Sequence, residues 1–185
     1  MQTCPHCNRK VGIRSYLVLV LSIGLSYTLI RYGIWLFLIL EYFLLVAVMD
    51  IEHRVILHPV SIAGIILAIL SGSQLHGWLM TILGGIIGWG IMGTLYLFGI
   101  YYGKWRARRH NLEHAEEGLG FGDVTLGLIL GLTLGITSIL SGLTLGIFLG
   151  GIFSLGYLFF RRSIQQATIP YAPFLLLGAT LTLIR

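Results

Sequence analysis

The chain has 185 residues, of which 56% are hydrophobic and only 10% charged, and its mean hydropathy is +0.90. A soluble domain carries about 25% charged residues, so a water-soluble globule is excluded and the chain reads as an integral membrane protein. The net charge of +5 reads as membrane topology rather than nucleic-acid binding, because no basic stripe carries interleaved aromatics.

The chain opens with Cys4-Pro5-His6-Cys7, a polar and basic start. No cleavable signal peptide is therefore expected, and the first apolar run reads as a retained helix. Residues 1–14 form a short CxxC segment, and 15–185 form one membrane domain. A bilayer-spanning helix needs about 20 mostly apolar residues. Seven candidate spans follow in order: 15–31; 34–50, which ends at Asp50; a short 59–72 beginning at Pro59; a glycine-rich 78–103; 122–138, which starts at Gly122-Asp123; 142–160; and 169–184, which opens with Ile169-Pro170. The only sizeable polar loop is 104–118, and no solenoid-type repeat is visible. The 25 glycines lie largely inside apolar runs, where small residues let membrane helices approach closely. The expected fold is all-α, a polytopic bundle of about seven transmembrane helices.

The basic residues set the orientation. With the N-terminus in the cytoplasm and seven helices alternating, the cytoplasmic side holds Arg9, Lys10, Arg14, Arg54, Lys104, Arg106, Arg108, Arg109, Arg161 and Arg162. The other side holds Arg31 and Arg185. Ten against two follows the positive-inside rule. The same topology brings Asp50, at the end of the second span, and Asp123, at the start of the fifth, to one depth on the cytoplasmic side.

Seven acids are present. Glu52, Glu113, Glu116 and Glu117 fall in polar loops and read as solvated charges. Glu41, Asp50 and Asp123 belong to the membrane runs, where an acid costs about 2.5–3.5 kcal/mol on insertion scales and usually faces a cavity or a partner. Two carboxylates at one depth can share a proton. One can take a proton from an attacking water, while the other protonates a peptide carbonyl and later the leaving amine. The structural alternative is that each aspartate caps a helix end, a placement the helix dipole favours for Asp123 in any case. Glu41 lies nine residues before Asp50, about 13–14 Å deeper and on the opposite helix face. It is expected to be a protonated acid bonded to a neighbouring helix.

Gly120 and Gly122 suggest a flexible or closely packed backbone where Asp123 is presented, along which an extended substrate strand could lie. No Walker or Rossmann context surrounds them. The Cys4/Cys7 spacing suits metal or redox chemistry in a reducing compartment. With His6, or with His110 and His114, a Cys2His2 zinc site could be assembled. A vestigial or dimer-shared CxxC is the simpler reading.

Gly120-Phe121-Gly122-Asp123 matches the GxGD motif of intramembrane-type aspartyl proteases. DIEHRVILHP, opening at Asp50, resembles the segment around the first catalytic aspartate of type IV prepilin peptidases. GFGDVTLGLILGLTLG resembles the second-aspartate segment of that family, IPYAPFLLLGA (169–179) its closing motif, and CPHC half of its cysteine cluster. The likeness runs through nearly the whole chain in the right order. It implies an aspartic endopeptidase of the bacterial inner membrane that removes the short basic leader of prepilins or pseudopilins at the cytoplasmic face. Asp50 and Asp123 carry over as the catalytic pair, and Gly120 and Gly122 as the motif glycines. The peptidase chemistry implies no cofactor.

Bifunctional members of that family have a further N-terminal helix and a second CxxC pair, and they also methylate the new N-terminus from S-adenosylmethionine. That activity is linked with the region lacking here, so a peptidase without S-adenosylmethionine is expected. Seven and eight residues after Asp50, where the family usually has proline and then aspartate or asparagine, stand Leu57 and His58, with Pro59 following. His58 could be a polar neighbour of the aspartates or could serve the mouth of the third helix. Two other function classes compete: a catalytically degenerate member that assists pilus or type II secretion assembly, and a proton-coupled transporter. The second would need paired halves with sites near mid-bilayer, which the sequence does not show. Neither the particular pilin nor the oligomeric state is encoded in these motifs.

Overall fold

The computed structural model describes residues 18–26, 33–53, 57–110, 120–160 and 171–184. Every element among them is an α-helix: α1 (residues 18–26), α2 (Ile34–His53), α3 (His58–His76), α4 (Trp78–His110), α5 (Phe121–Phe160) and α6 (Ala172–Ile184). Four of these, α2 to α5, are long and apolar enough to cross a membrane, and α6 is a shorter apolar helix of 13 residues.

The helices are apolar on their outward faces as well as in the core, where Ile39, Leu130 and Leu175 are fully buried. Leu79, Phe98 and Phe148 point outward at 68%, 66% and 67% exposure, while glycine, serine and threonine supply many of the inward contacts. Hydrocarbon imposes no cost on an outward leucine, and small residues let the helices pack closely. α5 sits at the centre. Within its apolar span 61% of the residues are buried, against 22–33% for the other three long helices.

Two glycine crossings hold α5 in place. Against α4, Gly88 lies on the carbonyl of Gly127, and Gly131 lies on the carbonyl of Gly84. A Cβ at any of these positions would strike backbone or the Met92 side chain. Against α6, Gly142, Gly146 and Gly178 meet backbone to backbone, and a Cβ at Gly146 would stand 2.7 Å from Leu175 Cα. The small-residue spacing seen in the sequence thus serves the close approach expected of it.

Gly135 separates the two crossings. Its backbone is non-helical, with φ 67° and ψ 174°, a region costly for residues with a side chain. The two limbs of α5 cannot be collinear. Residues 123 and 150 would stand about 40 Å apart in a straight helix. Yet Tyr171 packs against Gly150, with its Cε2 3.4 Å from where a Cβ there would sit, and lies within electrostatic reach of Asp123. α5 therefore folds back on itself at Gly135, its first limb on α4 and its second on α6.

Several expected boundaries are corrected by this arrangement. Six helices are seen among the described residues rather than seven, because 122–138 and 142–160 are joined. The interruption expected at 139–141 is helical, and the chain turns at Gly135 instead, where the left-handed φ rather than a polar stretch makes the bend. The polar loop expected from Lys104 is instead helical as far as His110. Lys104, Arg106 and Arg108 are good helix formers, and the Arg109 guanidinium stacks over the Trp105 ring at 5.3 Å, so α4 continues to His110. The third helix is also longer, with Pro59 accommodated in its first turn, where a missing N–H costs nothing.

α1 is tied to the bundle through Glu41. The Ser22 hydroxyl donates to Glu41 Oε1 at 2.9 Å. The bond to a neighbouring helix expected of this acid is present.

Candidate functional site

Asp50 occupies the last turn of α2 and Asp123 the first turn of α5. Both side chains are partly buried. They are close enough to interact electrostatically, so two acids from distant parts of the sequence meet at one end of the bundle.

Each carboxylate is oriented by a backbone amide. The N–H of Ala172, the first residue of α6, donates to Asp50 Oδ2 at 3.2 Å. The first N–H groups of a helix have no partner within it, and the dipole there favours negative charge. Asp50 thus acts as a cap supplied from another helix. The N–H of Gly120 donates to Asp123 Oδ2 at 3.2 Å, and the Asp123 N–H returns a bond to Gly120 O at 3.0 Å. This is the carboxylate half of a capping box, with the acid three residues inside the helix. The capping geometry and the pairing of the two acids coexist: one oxygen of each side chain fixes its orientation while the carboxylates remain within reach of each other. A carboxylate has about four lone-pair sites, so a single amide bond does not exhaust it.

Gly120 is exposed, and a Cβ there would meet nothing closer than 3.9 Å. Packing alone does not require glycine at this position; what its absent side chain leaves is open space beside Asp123. Gly122 is half-buried in the first turn of α5. His58 opens α3 and is exposed, with no hydrogen bond or ion pair to either aspartate among the described residues. Cys4, Cys7, His6 and His114 lie outside the described residues. Among the described residues no group of three or more metal-binding side chains occurs.

The segment Tyr171-Ala172 is the part of the site that reading for charged residues misses. It belongs to IPYAPF, where Pro170 and Pro173 bracket two residues at a helix start. Through Ala172 it holds Asp50, and through Tyr171 it approaches Asp123. Its signal was the helix start itself, falling at the same end of the bundle as Asp50. The C-terminal end of α4 gives a second landmark at the same end of the bundle. Tyr96 meets Phe121 edge to face at 6.2 Å, so residues 97–110 of α4 project about 21 Å beyond the start of α5.

This architecture defines a multi-pass helical membrane protein with two acids, one from α2 and one from α5, within electrostatic reach at one end. The family model described as the type IV leader peptidase family matches residues 36–155, and the chain belongs to that family, one of aspartic-type peptidases that act on prepilins. No curated protein and no solved structure gives a significant match.

Proposed function

We propose that this chain is a membrane aspartic endopeptidase that removes the short basic leader of prepilins or pseudopilins through Asp50 and Asp123. The observation that carries the reading is the meeting of these two carboxylates in a chain of this family. One carboxylate takes a proton from water as the water oxygen bonds to the scissile carbonyl carbon. The other, protonated, gives its proton to the carbonyl oxygen. Collapse of the tetrahedral intermediate breaks the C–N bond, and the amine leaves with a proton from the dyad. Nothing in this sequence of steps calls for S-adenosylmethionine.

The proposed orientation puts the N-terminus and both aspartates at the cytoplasmic side, with α1, α2, α3, α4, the two limbs of α5, and α6 as seven spans. The charge count supports it, as do the two limbs of α5, which restore the alternation of sides. The basic end of α4 then projects on the cytoplasmic side, as the positive-inside rule requires.

The test is cleavage of a co-reconstituted prepilin, read by mass spectrometry of the released leader. A single cut before the apolar segment is expected. No cut with any prepilin, together with normal pilus assembly, would favour the assembly-partner reading.

Tyr171 provides a further check on the site. Its ring is held against Gly150, so Tyr171→Phe removes the hydroxyl while keeping the packing. Tyr171 interacts electrostatically with Asp123, and the role proposed for its hydroxyl is a hydrogen bond to the charge that develops during the reaction, worth about 1.5–3 kcal/mol. The expected result is a fall in kcat of about tenfold or more with KM nearly unchanged. An unchanged kcat would remove Tyr171 from the site.

A further inference from the structure

A groove of about 950 Å³ runs between α1, α2 and α6. Leu21, Leu44, Val48, Ile51, Leu177 and Thr180 are among its lining residues. At one end it reaches Ile51 and Pro173, the neighbours of Asp50 and of the Ala172 amide that holds it. From there it follows α2 back to Leu40, a run of about 17 Å. Among the described residues its single charged lining residue is Glu52, at the Asp50 end.

We infer that this groove receives the apolar helix of the substrate, N-terminal end at Asp50, so that the bond to be cut lies where the groove meets the aspartates. The inference rests on the peptidase reading. Its observations are continuity with the candidate site and charge. An apolar helix that follows a positive leader places its charge change at the mouth of the groove, where Glu52 stands. A phospholipid chain in the same place would bring its phosphate against that acid. The groove is long enough for about eleven residues of helix, enough to hold the first three turns after the cut.

The test uses a photo-crosslinker in the full chain. Benzoylphenylalanine is placed at Leu44 or Leu177 in the groove, and at Leu79 or Ile86 on the outward face of α4, which are 68% and 59% exposed. The chain carries Asp123→Asn so that bound prepilin is not cut, and both proteins are embedded in vesicles of phosphatidylethanolamine and phosphatidylglycerol. Pilin adducts at the groove positions are expected to exceed those at the control positions by about tenfold, a difference of 1.4 kcal/mol in occupancy. Glu52→Lys is expected to lower the groove adducts severalfold. Equal yields at groove and control positions overturn the inference. So do adducts formed only with lipid or with a second copy of this chain. Cleavage is scored separately in the chain with both aspartates intact. Leader cleavage without groove adducts sinks the docking site alone, and groove adducts without cleavage sink the peptidase reading alone.

Discussion

Asp50→Asn and Asp123→Asn, made one at a time, are each expected to slow leader cleavage by at least about 10³-fold. General acid–base steps contribute about 10²–10⁴-fold each, and neither amide can carry the proton that its position must accept or donate. The substitution separates chemistry from folding. An asparagine oxygen can still accept the Ala172 N–H that Asp50 takes at 3.2 Å, or the Gly120 N–H that Asp123 takes at the same distance. The caps on α6 and α5 survive, so both variants are expected to insert and to elute from detergent columns as the wild type does. A variant that cuts normally would remove its aspartate from the mechanism. A variant that is lost from the membrane would show that capping, not chemistry, is the main role of that acid.

The second large effect lies far from the aspartates. Gly131→Leu is expected to destabilise the bundle by at least about 2 kcal/mol, near the upper part of the range for overpacked interiors, and to lower the detergent thermal midpoint by about 4–8 °C. The reason is that a Cβ at Gly131 would fall on the Gly84 carbonyl and stand 2.9 Å from Gly85 Cα. Those are backbone atoms and cannot rotate away, so α4 and the first limb of α5 must part. Asp123 sits on that limb, so cleavage is expected to fall along with stability. Gly99→Ala is the control, since nothing lies within 4 Å of a Cβ there, and its effect should stay within about 0.5 kcal/mol. Equal behaviour of the two variants would mean that the helices do not cross as described.

That Asp50 and Asp123 lie within electrostatic reach accords with an expectation that follows from counting. Alternation of apolar runs and the distribution of arginine and lysine placed the end of α2 and the start of α5 on one side before any geometry was known. Glu41 was legible for a related reason: a lone acid inside an apolar run needs a partner, and Ser22 supplies one. The turn at Gly135 was not. Leu-Gly-Ile carries no charge and no proline, and glycine occurs so often in these helices as a packing residue that one in a left-handed conformation looks the same in sequence. The end of α4 was misjudged because polarity was taken to mean loop, whereas lysine and arginine continue a helix readily once it has left hydrocarbon. The hold on Asp50 was invisible for a further reason. Its donor is a main-chain N–H, and every residue but proline has one.

The projection of α4 makes the surroundings of the aspartates lopsided. On one flank stands a helical post about 21 Å tall bearing Lys104, Arg106, Arg108 and Arg109. On the other, α2 ends at His53, less than one turn above Asp50. For a lysine-rich leader the two flanks are not equivalent approaches. Among the described residues, the tall one would repel it and the low one presents Glu52. Such a difference in potential acts on encounter before any contact is made, so added salt should narrow the advantage of one flank over the other without touching the chemistry proposed for Asp50 and Asp123.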